Sequence, residues 1–374
     1  MIMAHTSALF EPLAVRALTV PNRVWLSPMC MYAAISRDGM VTRGHQVHYG
    51  QFALGGVGLM LTEATAVVPE GRVTPFDAGL WSDAQVEPWR EVVDTVHDLG
   101  GRIAVQLAHA GRKSGHYPGL PGDEQPAVAV PCDEGGWVSL GATGMAFGDY
   151  PHPRPASDED LRAAVDAYVD AARRAVSVGF DAVEIHAGHG YLIHEFLSPV
   201  TNTRADRWGG SVEGRERLLR EIVRDVRSAV GPDLPVLVRL SAEDAVPGGT
   251  LAADTAATSI RLIGDGADLI DCSGGGLVAG TEYRPGPGYQ VAAAEEVHRA
   301  GAPAAAVGMI TSAAQAETII RTGQADAVLL GRELLRNPFW AQQAARELGV
   351  AVPAPRRYYR AHWGEELTLR ALGW

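Results

Sequence analysis

The sequence predicts an α/β fold, closed as a (β/α)8 TIM barrel, and three observations carry that expectation. Apolar or β-branched runs alternate with longer amphipathic stretches along most of the chain, and eight of each can be counted. The 374 residues suit such a barrel, which takes about 250 residues before insertions. The strands are expected at 24–27, 58–64, 103–107, 182–185, 236–240, 269–272, 304–307 and 327–330. The helices are expected at about 45–55, 85–99, 157–179, 213–230, 252–265, 290–300, 312–323 and 333–347.

Taken in order, residues 9–22 read as an N-terminal hairpin segment ahead of the first strand. The third strand is followed by 114–156, which is rich in Gly and Pro and shows no periodicity. A structureless stretch of that length in a compact domain is a functional lid or an insertion. At Ser157 a helix starts with a capping-box pattern, Asp160 standing where Glu or Gln is usual. Leu161, Val165, Tyr168, Val169, Ala172 and Val176 then share one face, and Gly179 supplies the stop. After Gly349 comes a tail with Arg356, Arg357, Tyr358, Tyr359, Arg360, His362 and Trp363, whose aromatic and cationic groups are expected to pack on another surface such as a neighbouring subunit. The barrel is expected over about 23–347 and the tail over about 350–374, all one domain across 1–374.

Composition narrows the class. Hydrophobic residues at 47% and charged residues at 20% allow a large buried core. A net charge of −12 opposes a polyphosphate partner, so nucleic acid is not expected. Cys30, Cys132 and Cys272 are widely spaced and odd in number, which suggests neither a disulfide framework nor a cysteine-rich metal or iron–sulfur site. The first residues lack the basic and apolar regions of a secretory signal, and no run of 18 apolar residues occurs. A cytoplasmic protein with no membrane partner is expected.

The chemistry should sit at the carboxyl ends of the strands. The fourth strand delivers His186, His189 and Tyr191 within six positions. One histidine there reads as a satisfied core residue, whereas three such groups together read as an oxygen clamp with a proton donor. The other ends supply Ser27-Pro28-Met29-Cys30-Met31-Tyr32, Glu63-Ala64, Gln106 through Lys113, Arg239, Val307-Gly308 and Gly331-Arg332. Gly308 and Gly331 let backbone N–H groups approach a phosphate after strands seven and eight, and Arg332 can add a charge-assisted contact. Arg239 at the end of a buried run is costly unless something meets it. That partner is either a structural carboxylate or an electron-rich group such as a reduced flavin, which Gln106 would also contact. Cys30 is either a small buried hydrophobe or a thiol that tunes a flavin.

These motifs, with Asn22-Arg23, Thr62-Glu63-Ala64-Thr65, His186-x-x-His189-x-Tyr191 and Gly331-Arg332-x-x-x-Arg336-x-Pro338, together resemble the Old Yellow Enzyme (NADH:flavin oxidoreductase) family. They are most similar to its Cys-containing branch of thermophilic-like ene reductases and xenobiotic reductases. The resemblance runs from about Leu9 to Trp363 and implies a barrel binding FMN non-covalently, with NAD(P)H as reductant and activated alkenes as acceptors. It implies that Ser27, Pro28, Met29, Cys30, Ala64, Gln106, His186, Arg239, Val307, Gly308, Gly331 and Arg332 line the flavin. Substrate would meet Tyr32, His186, His189 and Lys113, with Tyr191 donating the proton and Cys30 modulating the flavin. It further implies a homodimer or homotetramer in which Arg360 or Trp363 enters the neighbouring site. Residues 364–374 lie beyond the family pattern.

Other readings compete. A family member could be specialised for oxidative desaturation or for a biosynthetic enone. A metal-dependent hydrolase could use His186, His189 and Glu184, but no third ligand stands at a strand end and His-Glu-x-x-His is absent. A non-catalytic flavin-binding module would not need His186, His189, Tyr191, Cys30 and Arg239 together.

Overall fold

The computed structural model describes residues 7–281, 284–353, 355 and 358. Eight parallel strands form a closed barrel: β1 (Val24–Leu26), β2 (Leu59–Ala66), β3 (Ile103–Ala108), β4 (Ala182–Ala187), β5 (Val236–Ser241), β6 (Leu269–Ser273), β7 (Ala304–Ala306) and β8 (Ala327–Leu330). Neighbours in sequence are neighbours in the barrel, and β8 pairs with β1 to close it. The helices are α1 (Arg43–Leu54), α2 (Val86–Asp98), α3 (Asp158–Val178), α4 (Leu192–Leu197), α5 (Val212–Val230), α6 (Ala252–Asp265), α7 (Val291–Arg299), α8 (Ala313–Arg321), α9 (Arg332–Arg336) and α10 (Trp340–Glu347).

Strand parity sorts the core. Outward residues such as Val105, Val183, Ile185, Val238, Ile270 and Val328 join one large buried cluster with the helices. Inward residues Trp25, Leu59, Leu61, Ala104, Ala182, Leu237, Leu269, Ala305, Ala327 and Leu329 form a second, separate cluster inside the barrel. The predicted N-terminal hairpin is present, Leu13–Val15 pairing antiparallel with Leu18–Val20. Its Val20, Leu13 and Leu18 pack on that inner cluster, so the hairpin plugs the amino-terminal mouth. Each fully buried Leu or Val contributes about 1.5–3 kcal/mol, and with the lower end filled, free space inside the barrel is confined to the carboxyl end.

Several expectations need correction. The helix predicted at 333–347 is two helices, because Pro338 disfavours helical geometry at Asn337, which sits at φ −139, ψ 87. The short helix α4 has no counterpart among the expected elements. Val307 lies beyond the end of β7 rather than within it. In α3 the capping box and the Gly179 stop (φ 102) are as expected, but Val176 lies at the edge of the buried face and is 47% exposed. The stretch 114–156 is mostly irregular, with one helical turn at Cys132–Glu134 and a two-residue pairing of Leu140–Gly141 with Arg154–Pro155. Among the described residues no helix is long and apolar enough to cross a membrane.

Candidate active site

Above the apolar layer the same inward positions turn polar. Two residues on from Ala104, Ala182, Leu237 and Leu269 stand Gln106, Glu184, Arg239 and Asp271, all buried. Gln106 Nε2 donates to Glu184 Oε1 at 2.7 Å. Arg239 Nη1 donates to Asp271 Oδ2 at 2.6 Å and to Ser27 Oγ at 3.2 Å. Burial raises the Glu184 carboxyl well above the usual range, Asp271 adds to the rise, and Arg239 opposes it. Arg239 Nε is buried without a partner. Of the two partners expected for Arg239, a structural carboxylate is therefore present, and one N–H remains unused.

A β-bulge explains why Ala64 rather than Glu63 faces this layer. The register of β2 against β3 shifts between Leu61 and Ala64, which sets Ala64 opposite Gln106. Glu63 instead turns to α1, where its Oε1 lies 2.8 Å from His45 Nε2. Its Oε2 accepts from Met31 N at 3.0 Å and so pins the loop after β1 that carries Cys30 and Tyr32. Burial raises the Cys30 thiol well above its ordinary value, with Asp77 and Glu63 adding to the effect, so the sulfur stays protonated. Burial raises the Tyr32 phenol too, with Cys30 next in effect.

The third inward layer carries His186, Ser241 and Ser273. His186 Nε2 and His189 Nδ1 are 3.2 Å apart, and His189 Nε2 is 2.8 Å from Ser273 Oγ. His189 sits in the left-handed region at φ 56, a conformation that costs of order 1–3 kcal/mol and persists only when other contacts enforce it. Here its N–H donates to Ser241 Oγ at 2.9 Å, and its carbonyl accepts from Lys113 Nζ at 2.9 Å. Lys113 also donates to Gly276 O at 3.1 Å, so it ties the loops after β3, β4 and β6 together. Burial, with Arg112 second, lowers its pKa to about 8.

Tyr191 follows immediately, its ring 5.0 Å from that of His186. Burial raises its phenol well above the ordinary value, with Cys30, Asp77, Tyr32 and Tyr150 adding to the rise, so it holds its proton at neutral pH. Both imidazoles are lowered well below 6.5, chiefly by burial. As pH falls from 7 to 6 both therefore stay neutral, and Lys113, with its pKa at about 8, stays charged. Affinity for a neutral ligand at the pair is expected to change less than about twofold across that window. A binding titration at each pH checks this, and an inflection near pH 6.5 would contradict it.

Gly190, at φ +73, makes the turn possible; a Cβ there would lie 2.1 Å from Gly276 O. Gly190→Ala is expected to push the His189–Tyr191 segment off its support and cost about 10²-fold in any turnover that uses this segment. Turnover measured at an unchanged melting temperature is the check.

At the other side of the barrel mouth a cavity of about 320 Å³ is bordered by His189, Ser273, Val307, Gly308, Gly331 and Arg332, among others. It reaches from His189 and Ser273 to the expected phosphate residues. Sequence reasoning missed Ser241, Asp271, Ser273 and the lining residue Gln290. Met29 meets this region as well, its Sδ only 3.3 Å from where a Cβ on Gly331 would lie. Arg360 and Trp363 lie outside the described residues. Glu184 is engaged with Gln106, and among the described residues no group of three His, Cys, Asp or Glu could hold a metal ion.

The model of the NADH:flavin oxidoreductase / NADH oxidase family matches residues 8–350. The chain belongs to that family. It is 44% identical over 355 residues to an NADPH dehydrogenase of Geobacillus thermodenitrificans, covering 95% of this chain and 98% of the relative. The corresponding figure is 43% over 353 residues for an NADPH dehydrogenase of Bacillus subtilis, covering 94% and 98%. Among solved structures, the old yellow enzyme homologue from Zymomonas mobilis superposes with a TM-score of 0.75 at 29% identity, covering 91% of this chain and 92% of that one.

As a member of the Old Yellow Enzyme family the protein is an FMN-dependent oxidoreductase with a nicotinamide reductant. The residues present fit FMN. The unpartnered N–H of Arg239 and the amide of Gln106 suit the polar pyrimidine edge. Gly308, Gly331 and Arg332 border the same cavity, where backbone N–H groups and a guanidinium suit a phosphate.

Proposed function

We propose that the protein is an NADPH-dependent ene reductase that saturates α,β-unsaturated carbonyl compounds and nitro-activated alkenes. The observation that carries this reading is the packing of two neutral imidazoles and a protonated phenol against one another, with His189 on the border of the cavity assigned to FMN. Relatives named NADPH dehydrogenase support the choice of nicotinamide. When bound, FMN would supply the hydride-transfer chemistry that links the nicotinamide to the alkene.

The chain's own residues do the rest. His186 and His189 hold the carbonyl or nitro oxygen and draw electron density from the β-carbon. Tyr191 gives its phenolic proton to the α-carbon. Ser27, Pro28, Met29, Cys30, Ala64, Gln106, Arg239, Val307, Gly308, Gly331 and Arg332 line the flavin, with the uncharged Cys30 thiol tuning it. Tyr32 and Lys113 border the acceptor, and nicotinamide and alkene use the same space in turn. We place residues 1–374 in one domain and the active form in a homodimer or homotetramer, the tail bringing Arg360 or Trp363 to a neighbouring site. Three unpaired cysteines and a nicotinamide reductant fit the reducing cytoplasm.

The test is conversion of 2-cyclohexenone and a nitroalkene by the purified yellow protein with NADPH under nitrogen. Saturated product is expected. NADPH consumption that requires oxygen and yields none would count against the reading.

A further inference from the structure

Backbone N–H groups and guanidinium groups donate and cannot accept, and this orients the protons around the imidazole pair. Gly188 N–H lies 3.2 Å from His186 Nδ1, which must present its lone pair. Burial keeps the ring neutral, so its proton is on Nε2. Arg239 Nη2 donates to Ser273 Oγ at 3.2 Å, leaving the Ser273 hydrogen free to turn. His189 stands between these two fixed ends, with Nδ1 toward His186 Nε2 and Nε2 toward Ser273 Oγ.

With nothing between the rings, the 3.2 Å separation is satisfied by one proton: His186 Nε2–H donates to His189 Nδ1. His189 then carries its proton on Nε2, and Ser273 Oγ accepts it. An oxygen acceptor placed between the rings is better served by two N–H donors than by one. That requires the His189 proton on Nδ1, which leaves Nε2 bare, and a bare Nε2 needs a donor. Ser273 is the group in reach.

We propose that Ser273 is a positioning residue whose hydroxyl turns from accepting to donating at His189 Nε2 when an oxygen ligand binds, so that the ligand meets two N–H donors. This rests on the reading that the pair holds a substrate oxygen. The protons balance: His189 releases one from Nε2 to water and takes one from water on Nδ1, with no net uptake. The site thereby selects oxygen acceptors (carbonyl, nitro or phenolate) over ligands presenting a donor.

The test uses FMN-loaded protein with 15N-labelled histidine and pentafluorophenolate as the probe. In the wild type, the His189 proton is expected on Nε2 without probe and on Nδ1 with it. Ser273→Ala is expected to keep it on Nε2 and to bind the probe about tenfold more weakly or worse, with flavin content unchanged. Ser273→Thr, which keeps a hydroxyl, should restore both. If Ser273→Ala loses flavin, Ser273→Cys keeps the volume with a weaker donor and should show an intermediate affinity. Identical His189 protonation in wild type and Ser273→Ala with probe bound, or equal affinity, would overturn the proposal, as would a wild type that binds no probe. Proton reversal in a protein that reduces no alkene would uphold the role of Ser273 while refuting alkene reduction.

Discussion

Tyr191→Phe is expected to slow alkene reduction about 10²–10⁴-fold, the usual loss when a positioned general acid is removed. Flavin reduction by NADPH should be unchanged, because the proposed proton transfer belongs to the alkene half of the cycle. The phenol is suited to the role: its ring lies 5.0 Å from His186, and burial keeps it protonated. Single-turnover measurement of each half-reaction separates the two effects. Equal loss in both halves would point to a collapsed site, since Tyr191 also stands at the N-cap of α4. Unchanged alkene turnover would make water the proton source.

Arg239→Met is expected to cost about 3–5 kcal/mol of stability, because it leaves Asp271 as an uncompensated charge inside the barrel. Arg239 and Asp271 are both almost fully buried, and their 2.6 Å contact is the sole ion pair in the polar layer among the described residues. Flavin should be lost as well. The double variant Arg239→Met, Asp271→Leu distinguishes the two roles, since a buried pair can often be replaced by apolar residues at little cost. It is expected to recover most of the melting temperature and little of the FMN affinity. Recovery of both would confine Arg239 to structure.

The eight strands were legible because each is buried on both faces and therefore reads as a mostly apolar run, and the strand ends located most of the proposed site. What went unread was strand parity. In Leu237-Val238-Arg239-Leu240-Ser241 and Leu269-Ile270-Asp271-Cys272-Ser273 every second residue faces the barrel interior, and the polar ones stack in two layers over the apolar floor. Arg239 stands out because charge is costly in a strand, whereas Asp271, one residue from the end of its expected strand, and Ser273, just past that end, look like ordinary polar residues beside a loop. Reading the two strands in register would have found both. The β2 bulge and the left-handed backbone at His189 depend on tertiary contacts with β3, Ser241 and Lys113, and no local pattern encodes them. The break at Asn337, by contrast, was available from Pro338 alone.

The most direct measurement is anaerobic double-mixing stopped-flow: FMN in the protein is reduced with one equivalent of NADPH, then mixed with 2-cyclohexenone while flavin absorbance is followed. The wild type is predicted to reoxidise rapidly with formation of cyclohexanone, and the double variant His186→Ala, His189→Ala to be reduced normally yet reoxidise at least about 10²-fold more slowly. Reoxidation as fast in the double variant, or none in the wild type with any activated alkene, would contradict alkene reduction at the imidazole pair.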